Sequence, residues 1–379
     1  MESKVGRPHI CFVAPSAFPL LAGDHDAKIM GGAELQQVIV ARGLAARGYR
    51  VSMICLNFGQ GDEIEIDGIR VYRAYRPNEG LPVLRFLWPR LTRMWGCLER
   101  IDADIYYQRT AGMLTGVVAS FCRRHRKKSV FAAAGDAIIR FSRDHRIYEY
   151  GLRNVDQIVV QTPAQARHFR NRYGRESVLV PNCCEPPRQQ LAGPNGRLIL
   201  WVSTIRQLKR PGLFLDLARA LPEHRFRMIG GPGDGERRLF DTVKASAEKL
   251  PNVEFMGFVP YEQIDRHFDA AAVFVNTSET EGFPNTFLQS WVRGIPTVSF
   301  IDCEARADGV DVNRVVHSPA ELAATVARLM NDDSFRLSQG RLCREYAERV
   351  HSPGRILDLY ERIFDKLLDA ERRGRTPDV

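Results

Sequence analysis

Two short polar loops carry the residue types most suited to chemistry. The first is Asn276-Thr-Ser-Glu-Thr-Glu281-Gly-Phe-Pro-Asn-Thr-Phe-Leu-Gln289, which follows an apolar run and precedes a helical pattern. Its spacing predicts a strand ending at Asn276, a loop, and a helix from about Thr286 with Asn285 as its N-cap. Backbone N–H groups at such a helix start, together with the helix dipole, suit a phosphate. Glu281 stands in the loop, where a carboxylate can accept hydrogen bonds from sugar hydroxyls. Gln289, eight residues on, can hydrogen-bond a ribose from the first turns. A capped strand–loop–helix with a solvated acidic loop accounts for the same residues equally well.

The second loop is Trp201-Val-Ser-Thr-Ile-Arg206-Gln-Leu-Lys209-Arg210-Pro211, with three cations between a strand and a helix. Fixed cations there can neutralise a departing diphosphate, the main electrostatic demand of sugar transfer. Solvated surface charge is the bland alternative, and it weakens if the two loops share one sheet edge. A third piece, Gly31-Gly32-Ala-Glu34, opens a helix, and glycines let backbone approach a phosphate closely. Alone, a Gly-Gly turn before a helix is weak.

The elements that must position these loops alternate between strand and helix. In the first half, strands are predicted at His9–Ala14, Val51–Leu56, Asp104–Tyr107, Ser129–Ala133 and Gln157–Val160. A helix from Ala33, with Leu35, Val38, Ile39 and Leu44 on one face, stops at Gly48. The periodicity vanishes over Glu185–Gly196, where Pro and Gly accumulate, which marks a linker. A second series then runs from Leu198–Val202 through Arg225–Ile229, Val253–Phe255, Val273–Asn276 and Pro296–Phe300, with helices between. Pro319–Met330 and Asp333–Val350 read as helices. Pro353 starts a last amphipathic helix carrying Ile356, Leu357, Tyr360, Ile363, Phe364 and Leu367. The expected class is α/β, as two facing Rossmann-like parallel-sheet domains with a cleft between them. The expected boundaries are 1–186, 187–352 and a C-terminal helix at 353–379. The fold alone names no reaction.

Bulk numbers fit two domains: 379 residues, 44% hydrophobic and 26% charged. The opening MESKVGRPHI lacks an apolar signal core, and no run approaches the ~20 apolar residues of a membrane span. A cytoplasmic protein is expected, with its eight cysteines as reduced thiols. Of the net charge of +9, residues 1–186 hold the whole excess, with 27 Lys/Arg against 18 Asp/Glu. That asymmetry suggests an anionic partner for the first half, such as a peripheral membrane surface. The basic run Arg123–Lys128 reads first as a favourable helix C-terminus, and Leu81–Leu98 as core packing interrupted by Pro89. The histidines have no metal-ligand spacing. No nucleic-acid recognition motif is present, and Gly230-Gly-Pro-Gly-Asp-Gly235 fits no register of a dinucleotide fingerprint.

Taken together and in order, these pieces resemble the family 4 glycosyltransferases of GT-B fold. The resemblance runs from Gly31-Gly32 through Val180-Pro-Asn182, Lys209-Arg-Pro211, Val253–Val259, Ser278–Gly294 and Gly294-Ile-Pro296 to His351-Ser352. It implies retaining transfer from a nucleotide-diphosphate sugar co-substrate, with no cofactor and no metal, to a glycan or lipid-linked acceptor in polysaccharide or glycoconjugate synthesis. By this likeness Glu281 matches the first carboxylate of the Glu-x7-Glu motif and holds the donor sugar. Lys209, with Arg206, stabilises the diphosphate. Gly31, Gly32, Gly282, Phe283, Pro284, Asn285 and Thr286 contact sugar or phosphate, and Val259 lies along the base.

The sequence departs from that pattern at three places. Gln289 replaces the motif's second Glu, Thr204 stands where an Arg is usual, and the first domain's usual His is absent from Phe131-Ala-Ala-Ala-Gly-Asp136. Asp136 matches the residue after that His. These departures keep open a catalytically quiet donor-binding or scaffold protein, and the shared domain plan keeps open a sugar-nucleotide epimerase of the same fold.

Overall fold

Short apolar runs bounded by Pro, Gly or polar residues become the strands of two separate sheets. The computed structural model describes residues 7–24, 31–77, 79–80, 86–135, 143–187 and 197–373. The chain divides into two compact units, Met1–Cys183 with Pro353–Val379, and Cys184–Ser352.

The first unit holds β1 (His9–Val13), β2 (Arg50–Cys55), β3 (Glu63–Ile66), β4 (Ile69–Arg73), β5 (Ile105–Gln108), β6 (Lys128–Ala132), β7 (Gln157–Val160) and β8 (Val178–Leu179). The helices are α1 (Phe18–Ala22), α2 (Gly32–Ala46), α3 (Thr92–Ile101), α4 (Met113–His125), α5 (Arg143–Asn154) and α6 (Pro163–Tyr173). The sheet order is β3-β4-β2-β1-β5-β6-β7-β8, parallel except for the antiparallel β3–β4 pair. β1 is buried along its whole length, as a central parallel strand covered on both faces must be. The β3–β4 hairpin, absent from the sequence reading, turns on Asp67-Gly68, both with positive φ. An Asp-Gly pair between two Ile-bearing strands is the signal that announces it.

The C-terminal helix, Pro353–Arg373, belongs to this first unit. Ile356, Tyr360 and Phe364 are buried, and the Tyr360 and Tyr107 hydroxyls hydrogen-bond at 3.0 Å. Gly43 of α2 lets the helix approach, since a Cβ there would lie 2.6 Å from Leu357 Cδ1. The Leu81–Leu98 stretch divides. Residues 81–85 lie outside the described set, Trp88 is 67% exposed, and Met94 and Leu98 of α3 are buried in the core. α4 ends at His125, with Arg126 in the left-handed region and Arg123 and Arg124 exposed in its last turn.

The second unit holds β9 (Leu198–Val202), β10 (Arg225–Ile229), β11 (Val253–Gly257), β12 (Ala271–Asn276), β13 (Thr297–Ser299), β14 (Arg306–Ala307), β15 (Val310–Asp311) and β16 (Arg314–Val315). Its helices are α7 (Pro211–Ala220), α8 (Arg237–Ala247), α9 (Tyr261–Asp269), α10 (Asn285–Trp291), α11 (Pro319–Asn331) and α12 (Asp333–Val350). The main sheet runs β11-β10-β9-β12-β13-β16, and all its pairings are parallel. β14 and β15 form a second hairpin on an Asp-Gly pair, Asp308-Gly309. Strand order reverses between β9 and β12, so the loops leaving these two neighbours diverge at the carboxyl edge. That reversal is where open parallel sheets make a ligand crevice. No described helix is long and apolar enough to cross a membrane.

Candidate functional site

The crevice at the β9/β12 reversal joins the two loops that the sequence singled out. The loop after β9 carries Arg206 and Lys209, and the loop after β12 carries Glu281. Lys209 Nζ donates to Glu281 Oε1, and Ser278 Oγ donates to the same oxygen at 2.7 Å. Both side chains are mostly buried, Lys209 at 18% exposure and Glu281 at 17%.

A set of interior bonds fixes the pair. Trp201 Nε1 donates to Thr277 Oγ1 at 2.9 Å, and that hydroxyl donates onward to the Lys209 carbonyl at 2.7 Å. The Glu279 amide donates to the Leu208 carbonyl at 2.9 Å. Arg210 donates to the carbonyls of Thr277 and Ser278. Trp201, Thr277 and Ser278 carry no role in the sequence analysis, and Arg210, expected there as one of three cations for a diphosphate, is turned instead onto these two carbonyls. Only the pairing of β9 with β12 gives them a common purpose.

Arg206 is exposed, and its side chain makes no hydrogen bond or ion pair among the described residues. Behind its loop packs the glycine run after β10. The Ile205 amide donates to the Gly231 carbonyl at 2.8 Å, and the Gly233 amide donates back to the Ile205 carbonyl at 3.0 Å. A Cβ on Gly230 would fall 1.9 Å from the Ser203 carbonyl oxygen, and one on Gly233 would fall 2.5 Å from Arg206 Cγ. The run therefore serves as a close-packed backing for the cationic loop, and glycine is required for approach at Gly230, where the facing atom is backbone.

The loop between Glu281 and α10 is anchored by Phe283, which is buried 5.0 Å from the His351 ring and 5.8 Å from the Trp291 ring. Gly282, Asn285 and Thr286 are half-buried and Pro284 is buried. Asn285 is not the N-cap. Pro284 takes that position with φ −67° and ψ 122°, and its carbonyl accepts from the Phe287 amide. The ring fixes φ near this value, so the helix starts one residue earlier than expected. Gln289 lies in the second half of α10, and its Nε2 is buried without a partner among the described residues. Val259, after β11, packs on the same apolar cluster as Phe283.

Gly31 and Gly32 stand in the first unit, at the start of α2, with Gly31 as N-cap in extended conformation. Asp136 lies outside the described residues. All eight cysteines are free thiols, and burial pushes Cys303 and Cys343 of the second unit up to about 12, so neither offers a thiolate.

Two family models match consecutive parts of the chain. "Glycosyl transferase 4-like domain" takes residues 31–183, and "Glycosyl transferases group 1" takes residues 196–332. This chain belongs to the group 1/family 4 glycosyltransferases. The family 4 chain is 25% identical over 255 residues to a D-inositol 3-phosphate glycosyltransferase of Nocardiopsis dassonvillei, covering 60% of this chain and 58% of that one. It is 22% identical over 286 residues to an uncharacterized glycosyltransferase of Haemophilus influenzae, covering 71% and 77%. The chain thus spans a little over half the length of the first of these relatives.

Among solved structures, the family 4 chain superposes on sucrose-phosphate synthase from Thermosynechococcus elongatus with TM-score 0.74 at 16% identity, covering 96% of this chain and 100% of that one. It superposes on Anabaena HepE in complex with UDP and glucose with TM-score 0.73 at 18% identity, covering 95% and 100%. At these identities the likeness is one of fold, and the fold is GT-B.

Proposed function

We propose that this protein transfers a sugar, with retention of anomeric configuration and without a metal ion, from a nucleotide-diphosphate donor to a glycan or lipid-linked acceptor. The observation that carries the proposal is the Lys209–Glu281 pair at the strand-order reversal of the second unit. A lysine ammonium has three donors. With one on Glu281, two remain for the oxygens of a diphosphate, while Glu281 keeps lone pairs for sugar hydroxyls. Arg206, solvent-facing on the same loop, adds a second cation for the charge that develops as the diphosphate leaves. The unpartnered Gln289 amide suits a ribose hydroxyl, doing by hydrogen bond what a carboxylate would do in its place. No side chain needs to act as nucleophile, because positioning and leaving-group stabilisation lower the barrier. HepE, of the same fold, binds UDP and glucose, which favours a sugar nucleotide as donor here.

The basic excess of residues 1–186 supports an anionic acceptor or an anionic membrane surface for the first unit, and so a peripheral place at the cytoplasmic face.

The test is a calorimetric and thermal-shift screen of UDP, GDP, ADP and their sugar conjugates without added metal. One nucleotide that binds, with its sugar conjugate consumed only when acceptor is present, establishes transfer. Binding without consumption replaces the proposal with a quiet donor-binding protein, for which Thr204 and Gln289 are the motive. Consumption independent of acceptor points to an epimerase. Silence from every nucleotide removes the donor site altogether.

A further inference from the structure

We propose that Arg210 is a positioning residue: its guanidinium holds the Glu281 loop against the Lys209 turn and so sets the geometry of the Lys209–Glu281 pair. The inference rests on the transfer reading above.

Arg210 sits between the short 3-10 turn Gln207–Lys209 and α7, with φ 45° and ψ 53°. This left-handed conformation is disfavoured for an ordinary L-residue, and glycine occupies it without a steric penalty. A backbone requirement alone would therefore select glycine. The arginine side chain must offset the difference, and its contacts say how. Nε donates to the Thr277 carbonyl at 2.8 Å and Nη2 to the Ser278 carbonyl at 3.0 Å. The guanidinium also lies over the Phe300 ring, 4.5 Å from its centroid.

The planar fork thus takes two successive carbonyls at the point where the chain leaves β12. Ser278 in turn donates to Glu281, and Lys209 is the residue next to Arg210. Both members of the pair are referenced to one side chain, over a separation of 72 residues in sequence. If the fork is removed, the remaining stitches among the described residues leave both carbonyls without a partner. Thr277 Oγ1 to Lys209 O and Glu279 N to Leu208 O do not involve the carbonyls of Thr277 and Ser278. On another side Arg210 borders a cavity of about 650 Å³ lined also by Pro211, Leu239 and Phe300, and no residue of the 277–281 loop lines it.

The experiment compares the full-length protein with Arg210→Gly, Arg210→Asn and Arg210→Lys. Gly and Asn suit the left-handed backbone, so both are expected to fold; either one suffices if the other does not. Initial rates at varied donor concentration give kcat and KM, and amide hydrogen exchange is followed over residues 277–281.

For Gly and Asn, kcat falls about tenfold to 100-fold, the scale of sub-ångström to 1 Å misplacement of reacting groups, while donor KM stays within about threefold. Exchange over 277–281 rises in the same variants. Lys, which keeps the charge and loses the fork, recovers only part of the rate. A kcat within twofold of the unmodified protein in Arg210→Gly or Arg210→Asn, with normal turnover in the unmodified protein, overturns the role of Arg210 and leaves the transfer reading standing. Full recovery by Lys likewise overturns the two-carbonyl clamp. No turnover by the unmodified protein with any donor removes the transfer reading, and the positioning role falls with it.

Discussion

Truncating either member of the Lys209–Glu281 pair tests the site most directly. In Glu281→Ala, the carboxylate that accepts from both Lys209 and Ser278 is gone, and a lysine at 18% exposure loses its counter-charge. In Lys209→Ala, the cation that meets the leaving diphosphate is gone, and Glu281 keeps only Ser278. Losing one strong transition-state contact costs about 2.7–4 kcal/mol, so each variant transfers sugar at least ~100-fold more slowly. Stability changes far less. The pair is neither exposed, where such bridges contribute 0–1 kcal/mol, nor fully dry, so roughly 1–3 kcal/mol is the expected loss. Denaturant midpoints measured on the same preparations therefore separate an unfolded variant from a slow one.

The double variant adds the sharper test. Two groups that act as one unit do not add, so the double loses about as much as the worse single rather than ~10⁴-fold. The assay is initial transfer rate at saturating donor and acceptor. Near-full activity in either single variant would refute the site. A double-variant loss equal to the product of the singles would refute the pairing while leaving each residue its own role.

Three other outcomes are expected. In Gly230→Ala the new Cβ would fall 1.9 Å from the Ser203 carbonyl oxygen, a backbone atom that cannot swing aside. Overpacking of this kind costs about 1–3 kcal/mol, read as a lower denaturant midpoint, and it should weaken nucleotide binding by displacing the Arg206 loop. His9 is buried against Ser52 at 2.8 Å, and burial, aided by Arg50, lowers its pKa from 6.5 to about 4. The unfolded chain binds the proton first, so stability is full above about pH 6.5 and falls as pH drops toward 4, by up to ~3 kcal/mol. Thermal melts across that window should show the slope, and His9→Asn should flatten it; an unchanged slope would acquit His9. Finally, the protein should co-sediment with anionic vesicles at low salt and be released as salt shortens the Debye length to ~8 Å at 0.15 M. No binding even at low salt would leave the charge of residues 1–186 without that explanation.

Local structure was legible in the sequence wherever neighbours in the chain decide it. The apolar runs at His9, Val51, Leu198 and Val273 became strands, and the breaks at Gly48 and Pro353 bound helices, because periodicity and breakers act over a few residues. The two Asp-Gly hairpins were equally local in signal, yet the strands they join are only two to five residues long, too short for periodicity to register. The cap at α10 shifted from Asn285 to Pro284 for a similarly local reason, the fixed φ of proline.

The site itself needed the tertiary structure. The sequence identified the Lys209 and Glu281 loops as chemically apt, and the family resemblance gave both to one donor, but the contact between the two side chains is not written in it. That depends on which parallel strands pair, and β9 pairs with β12 across two intervening strands, β10 and β11, which extend the sheet on the other side. Such pairing is set by burial of whole strand faces against helices, an energy summed over residues far apart in the chain. The same holds for Gly230, whose lack of a side chain matters only because Ser203 lies against it, and for Arg210, whose left-handed backbone makes sense only beside the carbonyls of Thr277 and Ser278. Sequence determined which residues are able to do the chemistry; the order of the strands decided which of them meet.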